Sequence, residues 1–328
     1  MDYNSLVLLT HCNTVNYPIS FPNVKMVYIR NAEPMKFCWH YGRWNMLVAN
    51  LEKEGKFFLD SGAHSLYNKM VKNNQSRNKY QFYTTQDFWN YVDSYARFVR
   101  KYKNIITYYA NVDVIYNPEM SWKVQRYLEE EWNLHPIPIV HFGTDMKWVN
   151  LYCKKGYYLL GIGGLGQNTT KKAYLLWADR LFTTLCPEPD RLPIIRMHGF
   201  AMTSWQLLFR YPWWSVDSSS WTKVGAYGGI FVPHKRKGKF VFTEQPYVIS
   251  VSQESPNSKL ARKHYKTLTK MEQKIVSEWL EFINIPLGEI KDGEIKNNGV
   301  MTRHTERKIA NLIFFEHLRK SLPKYPWP

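Results

Sequence analysis

The chain has 328 residues, and its 44 Lys and Arg residues outnumber its 27 Asp and Glu residues, which gives a formal net charge of +17. This charge favours a polyanionic partner, nucleic acid before an anionic membrane surface. The sequence contains no run of about 18 apolar residues and no basic-then-apolar N-terminus, so we expect a soluble, cytoplasmic protein without a membrane partner.

Short apolar or aromatic runs recur along the chain, and each ends in a polar residue or a glycine where the backbone is expected to turn. There are six such runs: 56–60 ending in Asp60, 105–113 ending in Asp113, 136–141 ending in His141, 157–164 ending in Gly163 and Gly164, 192–198 ending in His198, and 213–217 ending in Asp217. Helical patterns alternate with them, at about 36–54, 86–103, 118–134, 144–155, 170–186 and 203–210. This alternation predicts parallel βαβ units.

The polar residues at the ends of these runs predict one functional face. In a parallel barrel the carboxyl ends of all strands meet at the same rim, where catalytic side chains collect. We therefore predict an α/β protein, a (β/α)8 TIM barrel with a C-terminal elaboration of strands and helices. Any one of the aspartates could instead cap the helix that follows it. The sequence Asp60-Ser61-Gly62 is also ordinary turn chemistry.

The last third of the chain is less regular. Strand-like runs at 229–233, 239–243 and 247–252 precede helical patterns at about 267–284 and 302–321. We predict a barrel domain over 1–252 and a helical extension over 253–328, whose apolar residues require burial: Leu280, Phe282, Ile283, Ile309, Leu312, Ile313 and Phe315.

Two basic segments are candidate nucleic-acid contacts. A loop between two of the strand-like runs contains Lys235, Arg236, Lys237 and Lys239, and the last helical pattern begins with Arg303 and Arg307. Such residues bind phosphates, although a cluster of charge is also typical of a solvated surface.

Taken in order, the strand-end motifs resemble the tRNA-guanine transglycosylase family. Asp60-Ser-Gly-Ala is similar to the family's Asp-Ser-Gly-Gly, and Asp113 matches its base-reading aspartate. Ile162-Gly-Gly-Leu165 is similar to the stretch that contacts the bound base, and Asp217 falls where the family places its nucleophile. The resemblance covers roughly residues 56–221 and implies a barrel that exchanges one nucleobase for another in a polymer.

The chain departs from that family at two points. The family's zinc cysteines follow the nucleophile strand, whereas no cysteine here lies beyond Cys186, which excludes a zinc subdomain at that position. The four cysteines (Cys12, Cys38, Cys153 and Cys186) are far apart and are predicted to be reduced thiols, and we predict no metal and no cofactor. His141 stands where the family has glutamine. With His198-Gly-Phe and Ser215-Val-Asp-Ser-Ser-Ser-Trp221, these departures resemble the compact DpdA-type homologues of phages and mobile elements, which insert 7-deazaguanine bases into DNA in the host cytoplasm.

The implied chemistry matches the residue types. Exchanging a base without cutting the strand requires two displacements at C1′ on the same sugar. Asp217 is the predicted nucleophile, Asp60 the predicted general acid and base, and Asp113 the predicted acceptor for the N1–H and N2–H2 donors of guanine. The other predicted base-binding residues are Ser61, His141, Gly163 and Gly164. The predicted partners are double-stranded DNA and a free 7-deazaguanine such as preQ0.

Two alternative functions stay open. The same exchange could act on tRNA, because DNA and tRNA are both polyanions and net charge does not distinguish them. The chain could also be a catalytically silent nucleic-acid-binding homologue. The presence of all three aspartates argues against silence, since a binding protein has no use for a nucleophile and a general acid.

Overall fold

The protein is an α/β protein built around an eight-stranded sheet. A computed structural model describes residues 5–11, 25–28, 57–67, 81–104, 106–164, 171–188, 193–202, 204–218, 220–253, 255, 262–291 and 294–322. The eight strands are β1 (Ser5–His11), β2 (Lys25–Tyr28), β3 (Phe57–Leu59), β4 (Ile106–Tyr109), β5 (Ile139–His141), β6 (Leu159–Gly163), β7 (Arg196–Gly199) and β8 (Ser215–Ser218). The class predicted from the sequence is therefore confirmed.

The strand order is β4-β3-β2-β1-β8-β7-β6-β5. The registers of β1 with β2, β2 with β3, β3 with β4, β5 with β6, β6 with β7 and β7 with β8 are all parallel. The residues after β4 also meet the residues before β5. Ala110 and Ile137 form a parallel bridge, in which the Asn111 amide donates to the Ile137 carbonyl over 2.9 Å and the Ile137 amide donates to the Tyr109 carbonyl over 2.8 Å.

Helices follow most of the strands. They are α1 (Ala63–Tyr67), α2 (Gln86–Lys101), α3 (Pro118–Glu130), α4 (Met146–Lys154), α5 (Lys171–Leu185) and α6 (Trp205–Arg210). Thr85, Asn117 and Asp145 cap α2, α3 and α4 with their side-chain oxygens. Such caps satisfy amide groups that the first helical turn leaves without partners.

The sequence predicted most of these elements. Strands end near all six predicted positions, and helices occupy five of the six helical patterns. The pattern at 36–54 lies outside the described residues. β1 and β2 were not predicted. The sequence that follows β1 contains no glycine as far as β2, and β2 has only four residues, too few for alternation to stand out.

The described residues form two compact units. The first contains the described residues up to Met202 together with Pro212–Asp217, and the second contains 204–211 and the described residues from Ser218 onward. The domain boundary predicted at 252/253 stays a prediction. In the described part of the chain, no helix is both long and apolar enough to cross a membrane.

The second unit contains three further helices, α7 (Ser220–Ala226), α8 (Lys270–Phe282) and α9 (His304–Ser321). Its strands are β9 (Gly229–Val232), β10 (His234–Arg236), β11 (Lys239–Val241), β12 (Tyr247–Ser250), β13 (Glu289–Lys291) and β14 (Glu294–Asn297). Leu280, Ile283, Leu312 and Phe315 are buried as expected. The expectation is wrong for Phe282, which stacks one face on Trp279 and is 56% exposed.

Candidate active site

Asp60 lies directly after β3, where the chain turns sharply. Gly62 adopts a φ of 75°, which favours glycine, and α1 begins one residue later. The hydroxyl group of Tyr91 on α2 donates to the Ser61 carbonyl over 2.5 Å and fixes the turn. The Ser61 hydroxyl accepts from the Ala63 amide over 3.4 Å, so it supports the helix start, and its predicted contact with a base stays a prediction.

The pKa of Asp60 is raised from 3.8 to about 7. Burial of the carboxyl group is the largest cause, followed by the negative charges of Asp217 and Asp113. Amide groups of Gly62 and Ser61 donate to the carboxyl group and oppose this rise. The charges of the two other predicted site aspartates therefore act on Asp60. With this pKa, its carboxyl group can gain or lose a proton near neutral pH.

Asp113 follows β4 and is paired with the histidine that ends β5. His141 Nε2 contacts Asp113 Oδ2 directly, and both residues are buried, with 6% of Asp113 and 9% of His141 exposed. Asn117, not Asp113, caps the following helix α3, so the capping alternative does not apply to Asp113. The structure thus brings together two residues that the sequence assigned to base recognition.

Gly163 and Gly164 pack against the His141 ring. A Cβ at Gly163 would lie 3.0 Å from His141 Cε1, and one at Gly164 would lie 3.3 Å from His141 Nδ1. Gly164 also has a φ of 76°, which strains any other residue. His141 Nδ1 is buried and has no hydrogen-bond partner among the described residues. The two glycines therefore allow the imidazole to stand beside the backbone and reach Asp113.

Asp217 lies on β8 and is 1% exposed. Its Oδ1 accepts from the Ala201 amide over 2.9 Å, and its carbonyl accepts from the Met202 amide over 2.8 Å. Ala201 has a φ of 52°, an uncommon conformation for a residue with a side chain. The chain after β7 thus curls around Asp217 and directs an amide group at its carboxylate.

Sequence reasoning missed the part that His198 and Ser215 play beside Asp217. The register pairs His198 on β7 with Ser215 on β8, and Ser215 and Asp217 share a face of their strand because side chains alternate. His198 Nδ1 lies 2.7 Å from Ser215 Oγ, and His198 Nε2 lies 3.3 Å from Asp217 Oδ1. His198 was visible in the sequence as a strand end, but only the register reveals its partners.

The predicted basic loop is the β10–β11 hairpin of the second unit. Its turn residues Lys237 and Gly238 have φ angles of 48° and 78°, as a tight two-residue hairpin turn requires. Lys235 is 2.8 Å from Glu278, and Arg236 is 2.8 Å from Glu244. Lys237 and Lys239 are exposed at and beside the turn, so they are the residues of this loop most available to a phosphate.

The two predicted contacts near α9 differ from each other. Arg303, at the N-cap of α9, is exposed. Arg307 is 6% exposed and donates to the carbonyls of Gly225 and Val300, each over 2.8 Å. The guanidinium group of Arg307 therefore connects α9 to the end of α7 inside the second unit, and its predicted contact with nucleic acid stays a prediction.

Comparison of the chain with models of known protein families and with curated proteins finds no match in either. Within the described ranges, no group of three or more His, Cys, Asp or Glu side chains is arranged to hold a metal ion. The function is therefore inferred from the site itself, in which three aspartates and two histidines lie at or near the carboxyl ends of strands of one sheet.

Proposed function

We propose that this protein is a base-exchange transglycosylase that replaces guanine in DNA with a 7-deazaguanine such as preQ0 through a covalent Asp217 intermediate. The observation that carries the proposal is that three carboxyl groups lie together: the charges of Asp217 and Asp113, with burial, raise the pKa of Asp60 to about 7. A group with such a pKa can donate and accept a proton in one catalytic cycle at neutral pH. The order of the strand-end motifs, which resembles the tRNA-guanine transglycosylase family, supplies the reaction class.

We also propose that the eight-stranded sheet closes into a (β/α)8 barrel. The bridge between Ala110 and Ile137 supports closure, since it joins the stretches next to β4 and β5, the two outer strands of the sheet order. In such a barrel Asp60, Asp113, His141 and Asp217 would face one rim.

The proposed reaction has two displacements. In the first, Asp217 Oδ2 attacks C1′, the C1′–N9 bond breaks, and protonated Asp60 gives its proton to the departing guanine, which leaves as a neutral base. In the second, Asp60 takes the N9 proton of the incoming 7-deazaguanine while N9 attacks C1′ and releases the Asp217 carboxylate. Two inversions retain the sugar configuration, and Asp60 regains its proton.

Asp113 is proposed to read the Watson–Crick edge of guanine. Its Oδ2 already accepts from His141, which fixes the orientation of the carboxylate. Each carboxylate oxygen has two lone pairs, so both oxygens can still accept from the N1–H and N2–H2 groups of the base. His141 thus serves recognition by holding Asp113.

The decisive experiment follows an isotope into the polymer. The protein is incubated with isotope-labelled preQ0 and either plasmid DNA or total tRNA, and the nucleosides are analysed by mass spectrometry after digestion. We expect label in DNA, no label with Asp217→Asn, and a rate about 10²–10⁴-fold lower with Asp60→Asn. Asp87→Asn, an identical change at an exposed position on α2, is the matched control and should retain the wild-type rate.

Each other outcome has a defined meaning. Label in tRNA alone replaces DNA by tRNA as the substrate. Binding of either polymer without incorporation of label indicates a silent binding protein and rejects the enzyme. Normal turnover by Asp217→Asn removes Asp217 as the nucleophile.

A further inference from the structure

The side chains of His198, Ser215 and Asp217 form a buried polar row between β7 and β8. They are 0%, 2% and 1% exposed, respectively. Burial of a polar group costs free energy unless the group is hydrogen-bonded. The positions of the donors and acceptors in this row therefore limit which of its atoms can carry a hydrogen. The imidazole is also held in place by aromatic rings, with centroids 4.7 Å away at Phe58 and 4.5 Å away at Phe200.

The protons of this row can be assigned from its donors and acceptors. As a carboxylate, Asp217 only accepts, so the ring nitrogen facing it, His198 Nε2, carries the hydrogen. Nδ1 of the neutral ring then accepts from the Ser215 hydroxyl group, 2.7 Å away. The Ser215 hydroxyl group can donate or accept, so it accommodates this tautomer, and the acceptor-only carboxylate of Asp217 selects it.

The row differs from the triad of a serine hydrolase in the ring nitrogens involved: Ser215 lies at Nδ1 of His198, and Asp217 lies at Nε2. In a nucleophilic triad the imidazole takes the proton of an accessible serine through one nitrogen and is oriented by a carboxylate through the other. In the proposed reaction the carboxylate at Nε2 is the nucleophile, and Ser215 lies at the opposite side of the ring. Ser215 supports the histidine, and the histidine faces the reacting carboxylate.

The contacts of Asp217 are unequal between its two oxygens. Oδ1 receives the Ala201 amide at 2.9 Å and faces His198 Nε2 at 3.3 Å. The latter contact is long and poorly aligned, and Nε2 has no hydrogen-bond partner of good geometry among the described residues. Catalytic hydrogen bonds are often long before substrate binds and shorten when charge develops on the acceptor.

We propose that His198 is a positioning residue for Asp217, in which Nε2–H and the Ala201 amide hold Oδ1 and leave Oδ2 to bond to the sugar. This inference rests on the proposed function. In the second displacement the C1′–Oδ2 bond breaks and its electron pair returns to the carboxylate. The two donors at Oδ1 stabilise that returning charge, and Ser215 keeps the His198 donor in place.

The test combines a readout of protonation with a readout of catalysis. Nitrogen-15 NMR of the imidazole groups, with His198→Gln used for assignment, should show His198 protonated at Nε2, the nitrogen that faces Asp217. In base exchange, His198→Leu should lower kcat about 10²-fold with little change in KM, as loss of one donor to a developing charge does. His198→Gln, which retains an N–H donor, should recover part of kcat, and His135→Gln at an exposed position should match wild type.

Failure of this inference is distinct from failure of the proposed function. A ring protonated only at Nδ1, or a wild-type kcat in folded His198→Leu, overturns the positioning role. A wild-type protein that exchanges no base but has the Nε2–H tautomer rejects the transglycosylase and the catalytic part of the inference, while the contact with Asp217 stands. Melting curves of each variant show whether a lost activity reflects a lost fold.

Discussion

At the scale of single residues, Asp60 links stability to pH. Folding raises the pKa of this carboxyl group from 3.8 to about 7, chiefly because burial disfavours its charged form. Between these two pH values the folded protein binds a proton that the unfolded chain has released, so stability falls as pH rises through this window. Above pH 7 the folded protein carries the full cost of the ionised group, on the order of 4 kcal/mol.

Replacing Asp60 with Asn should remove this dependence. We expect Asp60→Asn to be more stable than wild type at about pH 8, by up to ~4 kcal/mol, and the difference to shrink towards zero near pH 4. Urea denaturation at several pH values measures it. Asp87→Asn should give a nearly constant difference, and the same constancy in Asp60→Asn would show that its carboxyl group is not strongly perturbed.

At the scale of elements, α2 fixes the ends of the two strands that present Asp60 and Asp113. Tyr91 donates to the Ser61 carbonyl, and Tyr95 donates to the Ala110 carbonyl over 2.6 Å. Both tyrosines are buried in the core between α2 and the strands. These hydrogen bonds fix the backbone at the ends of both strands, and so they help to position the residues that come next, Asp60 and Asp113. An apolar helix face would pack against the strands without directional bonds.

Loss of one such bond should be measurable. Tyr95→Phe keeps the aromatic ring but removes the hydroxyl group that donates to the Ala110 carbonyl. Ala110 is fully buried, so its carbonyl group loses this donor away from solvent. We expect the free energy of unfolding to fall by ~1–3 kcal/mol in urea denaturation. Tyr158→Phe, at a tyrosine 58% exposed, is the control and should change stability little. Equal effects of the two substitutions would contradict the anchoring role of Tyr95.

The positions of strand ends could be predicted from the sequence, whereas the contacts between strands could not. The positions of Asp60, His141 and Asp217 follow from apolar runs that end in polar residues, because strand C-termini are local features of the chain. The contact of His198 with Ser215 and Asp217 depends on the β7–β8 register, which no local pattern specifies. The internal hydrogen bonds of Arg307 could not be predicted for a related reason, since they join its guanidinium group to the carbonyl groups of Gly225 and Val300, which no local pattern brings beside it.

At the scale of the whole molecule, we expect the net charge of +17 to favour a polyanionic partner, to which only exposed cations without an acidic partner would contribute fully. Lys235 and Arg236 each lie beside a glutamate, whereas Lys237 and Lys239 are exposed at the turn. The β10–β11 hairpin should therefore contact phosphates through its tip.

Neutralising the tip should change the salt dependence of DNA binding. For Lys237→Gln with Lys239→Gln we expect weaker binding to every sequence and a slope of log K against log salt that is shallower by about 2. Fluorescence anisotropy over a range of salt concentrations measures this. Lys154→Gln with Lys155→Gln removes the same charge from an exposed site in the first unit and is the control. An unchanged slope in the hairpin variant would place the phosphate contacts elsewhere.

The burial of Asp217 has a consequence for the kinetics of the whole protein. A sugar can reach a carboxylate that is 1% exposed only after the atoms covering it move aside. The apparent affinity for a flipped nucleotide is then the intrinsic affinity multiplied by the fraction of molecules that are open, so a protein open about one time in a hundred binds a hundredfold more weakly than its contacts allow. A substitution that loosens the cover would raise apparent affinity without adding any contact, and it would also admit water to the glycosyl intermediate. In the proposed reaction, such a cover would protect that intermediate from hydrolysis.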